Sequence, residues 1–127
     1  MALTPSEFEK INTIQNFTPT MESGFVYTAG NAWYKVINSS FIFFSMIVTK
    51  SSAGTVNGTI CTLPTWMRPI KYIAVSAEVR NGTYVDQTPP SAAISDEGKV
   101  RVYSPSTSTY YIYVSGVIPI SGTIPSA

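Results

Sequence analysis

The sequence has no histidine, a single cysteine and few charges, and each shortage removes a class of chemistry. Without histidine, the commonest general base and the commonest neutral metal ligand are both missing. With Cys61 alone there is no intrachain disulfide and no multi-cysteine zinc site. Cys61 sits in the run TICTL and reads as a small buried hydrophobe rather than a reactive thiol. Charged residues make up 12% of the chain and the net charge is +1, so no basic field exists to neutralise a series of phosphates. Nucleic-acid binding is therefore not expected. The opening MALTPSEFEK has no basic segment followed by an apolar one, which argues against a signal peptide. The most apolar run, residues 41–48, is too short to span a bilayer. The expectation is a soluble protein made in a cytoplasm, without cofactor, metal or membrane insertion, that acts elsewhere once released in a particle.

What the chain does contain is tyrosine, serine and threonine, punctuated by nine prolines and eight glycines. In 127 residues this is the composition of one all-β domain. The stretch TICTLPTWMRPIKYIAVSAEVR organises it. Pro64 and Pro69 lack a backbone donor and cannot sit inside a central ladder. The chain should thus leave one strand at Thr62–Leu63, cross over with Trp66 and Met67, and re-enter a sheet near Ile70. Ile73, Val75, Ala77 and Val79 then alternate with more polar neighbours, the period of a half-buried strand.

Taken in order, Thr4, Pro5 and Glu7 suit a helix start with a capping box, and a helix over residues 5–15 is predicted. Strands are predicted around residues 25–27 and 33–37, with a break at Ala29-Gly30-Asn31. In FIFFSMIVTK both faces are apolar, so both must be covered. Sheet-to-sheet packing covers one. The N-terminal segment or another subunit is needed for the second. Residues 80–91 form the longest irregular stretch; 93–103 read as a hairpin turning at Asp96-Glu97-Gly98, with Val100 and Val102 inward and Lys99, Arg101 and Tyr103 outward. The last long strand has Ile112, Val114 and Ile118 opposite Tyr111, Tyr113 and Val117. The predicted architecture is a small antiparallel β-sandwich, jelly-roll-like, of seven or eight strands, with a short N-terminal helix. Residues 1–23 form a stalk-like segment, 24–120 the sandwich head and 121–127 a flexible tail.

Laid out this way, the pattern resembles the C-terminal head domains of phage receptor-binding proteins, tail-fibre tips and the upper-baseplate proteins of siphophages that infect Gram-positive hosts. The residues that carry the resemblance are Trp33-Tyr34-Lys35-Val36, Thr62-Leu63-Pro64 followed by Arg68-Pro69, the run from Ile94 through Gly98 to Val100, and Tyr113-Val114-Ser115-Gly116. They span nearly the whole domain, though each motif is short. Where that family has glycine after the aromatic strand, this chain has Ile37-Asn38. The resemblance implies a head that forms homotrimers within a virion, alongside other virion proteins, and binds host cell-wall or surface polysaccharide.

Saccharide binding needs aromatic faces for sugar C–H groups and planar polar side chains for hydroxyls. Candidates are Arg80, Tyr84, Asp86, Gln87, Tyr110 and Tyr111; each also reads simply as a solvated loop residue. Trp33, Phe44, Met46, Trp66 and Arg68 are the candidates for a subunit interface, Trp66 and Arg68 also suiting the packing of the crossing. Asp96 and Glu97 are adjacent carboxylates in a turn and point apart, unlike the opposed pair of a glycosidase. Lys71, Lys99 and Arg101 read as solvated strand faces, and no catalytic residue is assigned. The expected function is a non-enzymatic, trimeric virion head that adheres to host saccharide. The alternatives are a decoration or fibre-assembly domain without a receptor, or a monomeric carbohydrate-binding module.

Overall fold

The structure, a computed structural model, describes residues 13–81, 84–85 and 89–125. Its strands are β1 (Gln15–Asn16), β2 (Thr20–Met21), β3 (Phe25–Asn38), β4 (Phe41–Lys50), β5 (Val56–Thr62), β6 (Ile73–Asn81), β7 (Tyr84–Val85), β8 (Ser91–Ile94), β9 (Lys99–Ser104) and β10 (Tyr111–Pro119). All pairings among them are antiparallel. Among the described residues the sole helical piece is one 3-10 turn, Thr65–Met67, and no helix is long and apolar enough to cross a membrane.

Nine strands form a single path, β1-β3-β4-β10-β6-β8-β9-β5-β2, with β7 added at the side of β6. The path curls into a half-barrel. Strand β6 is the pivot: Ile73–Val75 pair with β8, while Ser76–Arg80 pair with β10. The two arms close on one core. Cys61 on β5 and Met46 on β4 have four strands between them along the path, yet their sulfurs lie 3.9 Å from each other. Sheet packing on sheet is thus achieved by folding over one continuous sheet.

Period-two alternation sets what enters that core. Ile42, Phe44, Met46 and Val48 point in from β4, Ile112, Val114 and Ile118 from β10, and Val100 and Val102 from β9. On β5 a register shift between Thr59 and Cys61 lets both Ile60 and Cys61 face inward. A similar irregularity between Tyr27 and Ala32 replaces the strand break expected at Ala29-Gly30-Asn31, so β3 is one strand rather than two.

The crossing behaves as its prolines require. Pro64 precedes the 3-10 turn, fully buried Met67 plugs the core beneath it, and Pro69 forms one isolated bridge to Ile120 before β6 begins. The C-terminal segment then clasps this crossing. Ser121 donates from its backbone N and its Oγ to the Arg68 carbonyl, both at 2.9 Å, and Ile120 and Ile124 are buried. At Gly122 a Cβ would stand 2.5 Å from Trp66 Cα, so only glycine fits there.

Three expectations change. The predicted helix falls mostly outside the described residues, but its last residue, Gln15, belongs to β1, and Phe17 is buried in the core. Residues 15–21 join the sheet instead of standing off as a stalk. The tail through residue 125 is held by the contacts above and is not frayed. Finally, Phe44 and Met46 have no exposed surface within the single chain, which removes them from any subunit interface. They lie on the inner face of β4; its outer face carries Phe41, Phe43 and Ile47.

Cys61 is free, and burial, reinforced by the nearby charge of Glu22, pushes its thiol up to about 12 from an ordinary 9.0. Burial also raises the Tyr34 phenol. Because the folded state binds these protons more tightly than the unfolded chain, the stability they contribute is complete below pH 9 and is lost as pH climbs toward 12. Urea unfolding is expected to give equal free energies at neutral and mildly alkaline pH and a lower one above pH 9.0. Cys61→Ala should remove part of that decline, and a thiol reagent should label the native protein only as fast as it opens.

Candidate functional site

The strands that bury Val100 and Val102 turn Arg101 and Tyr103 to the outside, and there they meet small residues. Ala93 is paired with both Ala74 on β6 and Arg101 on β9, and Arg101 with Thr59 on β5. Tyr103 is paired with Ser91 and Asn57. The resulting groove, about 620 Å³, has a low floor of Ala74, Ala93 and Gly58. Tyr72, 61% exposed, and Tyr103, 49% exposed, supply aromatic surface. Arg101 is the only charged residue among those lining it, and Asn57, Thr59 and Ser91 add hydroxyl and amide groups. Chemically it offers two aromatic faces, one forked donor and several neutral hydrogen-bonding groups, a combination suited to a polyhydroxylated ligand.

A smaller cleft of about 270 Å³ lies on the outer side of β6 and β10, lined by Ser45, Ser76, Ser115, Glu78 and Tyr113 among others. Beside it Arg80 donates to Glu78 Oε2 from Nη2 at 2.9 Å and from Nε at 3.1 Å. Its guanidinium carbon stands 4.6 Å from the Tyr113 ring centroid. This is the single ion pair among the described residues, and both partners are more than a third exposed, so solvent screens it.

Of the saccharide-binding candidates, Arg80 and Tyr111 come together as a register pair on β6 and β10. Tyr110 is packed edge-on against Tyr111, with ring centroids 4.9 Å apart. Tyr84 pairs with Asn81 through β7; Asp86 and Gln87 lie outside the described residues. Among the interface candidates, Trp33 lies half-buried on the outer face, its ring 5.7 Å from that of Phe43. Trp66 packs edge-on against Tyr34 at 4.8 Å, within the crossing. Arg68 has its Nε buried with no hydrogen-bond partner among the described residues. Asp96 and Glu97 are exposed in the turn between β8 and β9, where Gly98 takes a φ of 80°.

The larger groove was missed as a unit. Alternation does turn Arg101 and Tyr103 outward, but the sequence carries no signal that Tyr72 lines the same hollow, since that depends on β6 pairing with β8 and β8 with β9.

The fold defined by these strands is an all-β, antiparallel half-barrel with its core between two arms of one sheet. Among solved structures it is similar to the crystal structure of the receptor binding protein gp15 of Listeria phage PSA. The likeness covers 87% of this chain and 68% of that chain, with a TM-score of 0.60 and 21% sequence identity, and it speaks for the fold. No protein-family model matches the chain, and no curated protein matches it.

Arg80 is a measure of how little the smaller cleft contributes to folding. Arg80→Ala is expected to lower the unfolding free energy by no more than about 1 kcal/mol, the range of exposed ion pairs and cation–π contacts, as read by urea denaturation.

Proposed function

We propose that this chain is a non-enzymatic virion head domain that adheres to saccharide on the host cell surface, using the groove between Tyr72 and Tyr103. The groove carries the reading, because its aromatic surface, lone guanidinium and neutral polar groups suit a sugar better than a lipid or a nucleic acid. The similarity of fold to a protein described as a phage receptor binding protein supports the virion setting.

The same reading makes the head a homotrimer. Phe41, 40% exposed, and Val117, 48% exposed, stand on adjacent strands of the outer face with Ile37 nearby, and Trp33 and Phe43 border them. Ile70 is brought to the same end by its backbone bond to Pro119. A contiguous apolar surface of this kind is what a subunit contact buries.

Two measurements test the proposal. On a glycan array of bacterial surface polysaccharides the protein should bind reproducibly, and Tyr103→Ala and Arg101→Ala should each weaken binding by about tenfold or more while leaving the fold intact. A silent array would favour a purely structural virion domain. Light scattering should return close to three times 13.8 kDa, and Val117→Asp should return one. A wild-type monomer would remove the trimer and leave a carbohydrate-binding module.

A further inference from the structure

Both clefts open on the same face of one strand. On β6, Ile73, Val75, Ala77 and Val79 pack toward the core, so Ala74, Ser76 and Glu78 all face outward. Ala74 lines the larger groove, on the β8 side; Ser76 and Glu78 line the smaller cleft, on the β10 side. Ala74 and Ser76 are two residues apart, roughly 7 Å along a strand. The pairing of β6 with β8 ends at Val75 and Ala92, and from Ser76 on β6 is paired with β10. At this changeover the outward side chains of β6 are Ala74 and Ser76, and neither is large enough to wall one hollow off from the other.

We propose that the two clefts are subsites of one track that crosses β6, and that the ligand is a linear oligosaccharide rather than a single terminal sugar. The inference rests on the saccharide-adhesion reading and specifies its ligand. Followed around the curl of the half-barrel, from Ser45 on β4 to Asn57 on β5, the track crosses β10, β6, β8 and β9, five strand spacings or about 24 Å of outer contour. Several sugar units are needed to cover that length. The larger groove alone has the volume of a site for a drug-sized ligand, and one pyranose ring would leave most of it to water. Aromatic surface is present in both halves, Tyr72 and Tyr103 in the groove and Tyr113 in the cleft. Arg80 and Glu78, held to each other beside Tyr113, give the cleft a donor and an acceptor already fixed in place. Each half is thus equipped to stack one sugar and bond its hydroxyls, with Ser76 at the changeover between them.

The experiment uses the full chain and an array of bacterial surface polysaccharide fragments graded from one sugar unit to about eight. Affinity should be undetectable for single sugars, rise with length and level off once the chain covers about 24 Å. Ser76→Trp, which fills the junction at an exposed position, should cost the longest fragments at least about tenfold and abolish the rise with length. Tyr113→Ala, at one half, and Tyr103→Ala, at the other, should each weaken the same fragments. Equal affinity for one unit and for the longest fragment would overturn the track, as would a silent Ser76→Trp or a silent Tyr113→Ala, while adhesion through the groove alone would survive. Absence of binding by the unmodified protein to any fragment would overturn the adhesion reading and the track with it.

Discussion

The constraint on which the structure depends is that one strand, β6, serves both arms of the sheet. Its first three residues bond to β8 and the following five to β10, so the sheet must fold over at this strand to close its core. Two features make the sharing possible. The prolines at 64 and 69 keep the preceding crossing out of any continuous ladder, leaving the isolated Pro69–Ile120 bridge and the bond from Ile70 N to the Pro119 carbonyl before β6 begins. Beside the last β6–β10 pair, Ser76 with Ser115, Gly116 on β10 leaves room for Val75, whose Cγ1 would stand 3.1 Å from a Cβ at that position.

Much of the fold was legible because strand alternation is a local signal. The inward sets of β6, β9 and β10 follow from the order of residues alone, and so does the turn at Asp96-Glu97-Gly98. Alternation fails as a guide where both faces are apolar. In β4 both the even-numbered and the odd-numbered residues are largely apolar, so alternation gives little to distinguish Phe44 and Met46, which enter the core, from Phe43 and Ile47, which do not. The choice is made by pairing: β4 lies between β3 and β10, and the inward residues of both neighbours fix which of its faces joins them. The outer face is then covered in part within the chain, by Trp33 against Phe43 and by Tyr113 opposite Ile47.

The chain ends were misjudged for a related reason. Gln15 looks like the end of a helix because helix signals are read within a few residues, whereas its strand pairing is with Tyr34. The SGTIPSA tail has the composition of a frayed end. Residues 121–125 of it are held by two bonds from Ser121 to the Arg68 carbonyl and by the close passage of Gly122 over Trp66, both more than fifty residues away in sequence. Long-range pairing supplied what local pattern lacked, in each case.

For the candidate site, the division between legible and illegible follows the same line. Arg80 and Tyr111 were chosen by residue type, and the register of β6 with β10 makes them neighbours. Arg101 was dismissed as a solvated strand residue, and by alternation alone that is a sound reading. It gains meaning from the small residues beside it, since an exposed arginine next to Ala93 and Ala74 lines a hollow, whereas the same arginine among long side chains would not. Sheets make sites this way because outward residues have little part in folding. A recess forms wherever short side chains fall into register across several strands, and its chemistry is set by the larger residues left at its borders. Here the short residues are contributed by strands distant in sequence and the borders by Tyr72, Tyr103 and Arg101. The hollow is therefore a property of the pairing, and the ligand class a property of three outward side chains.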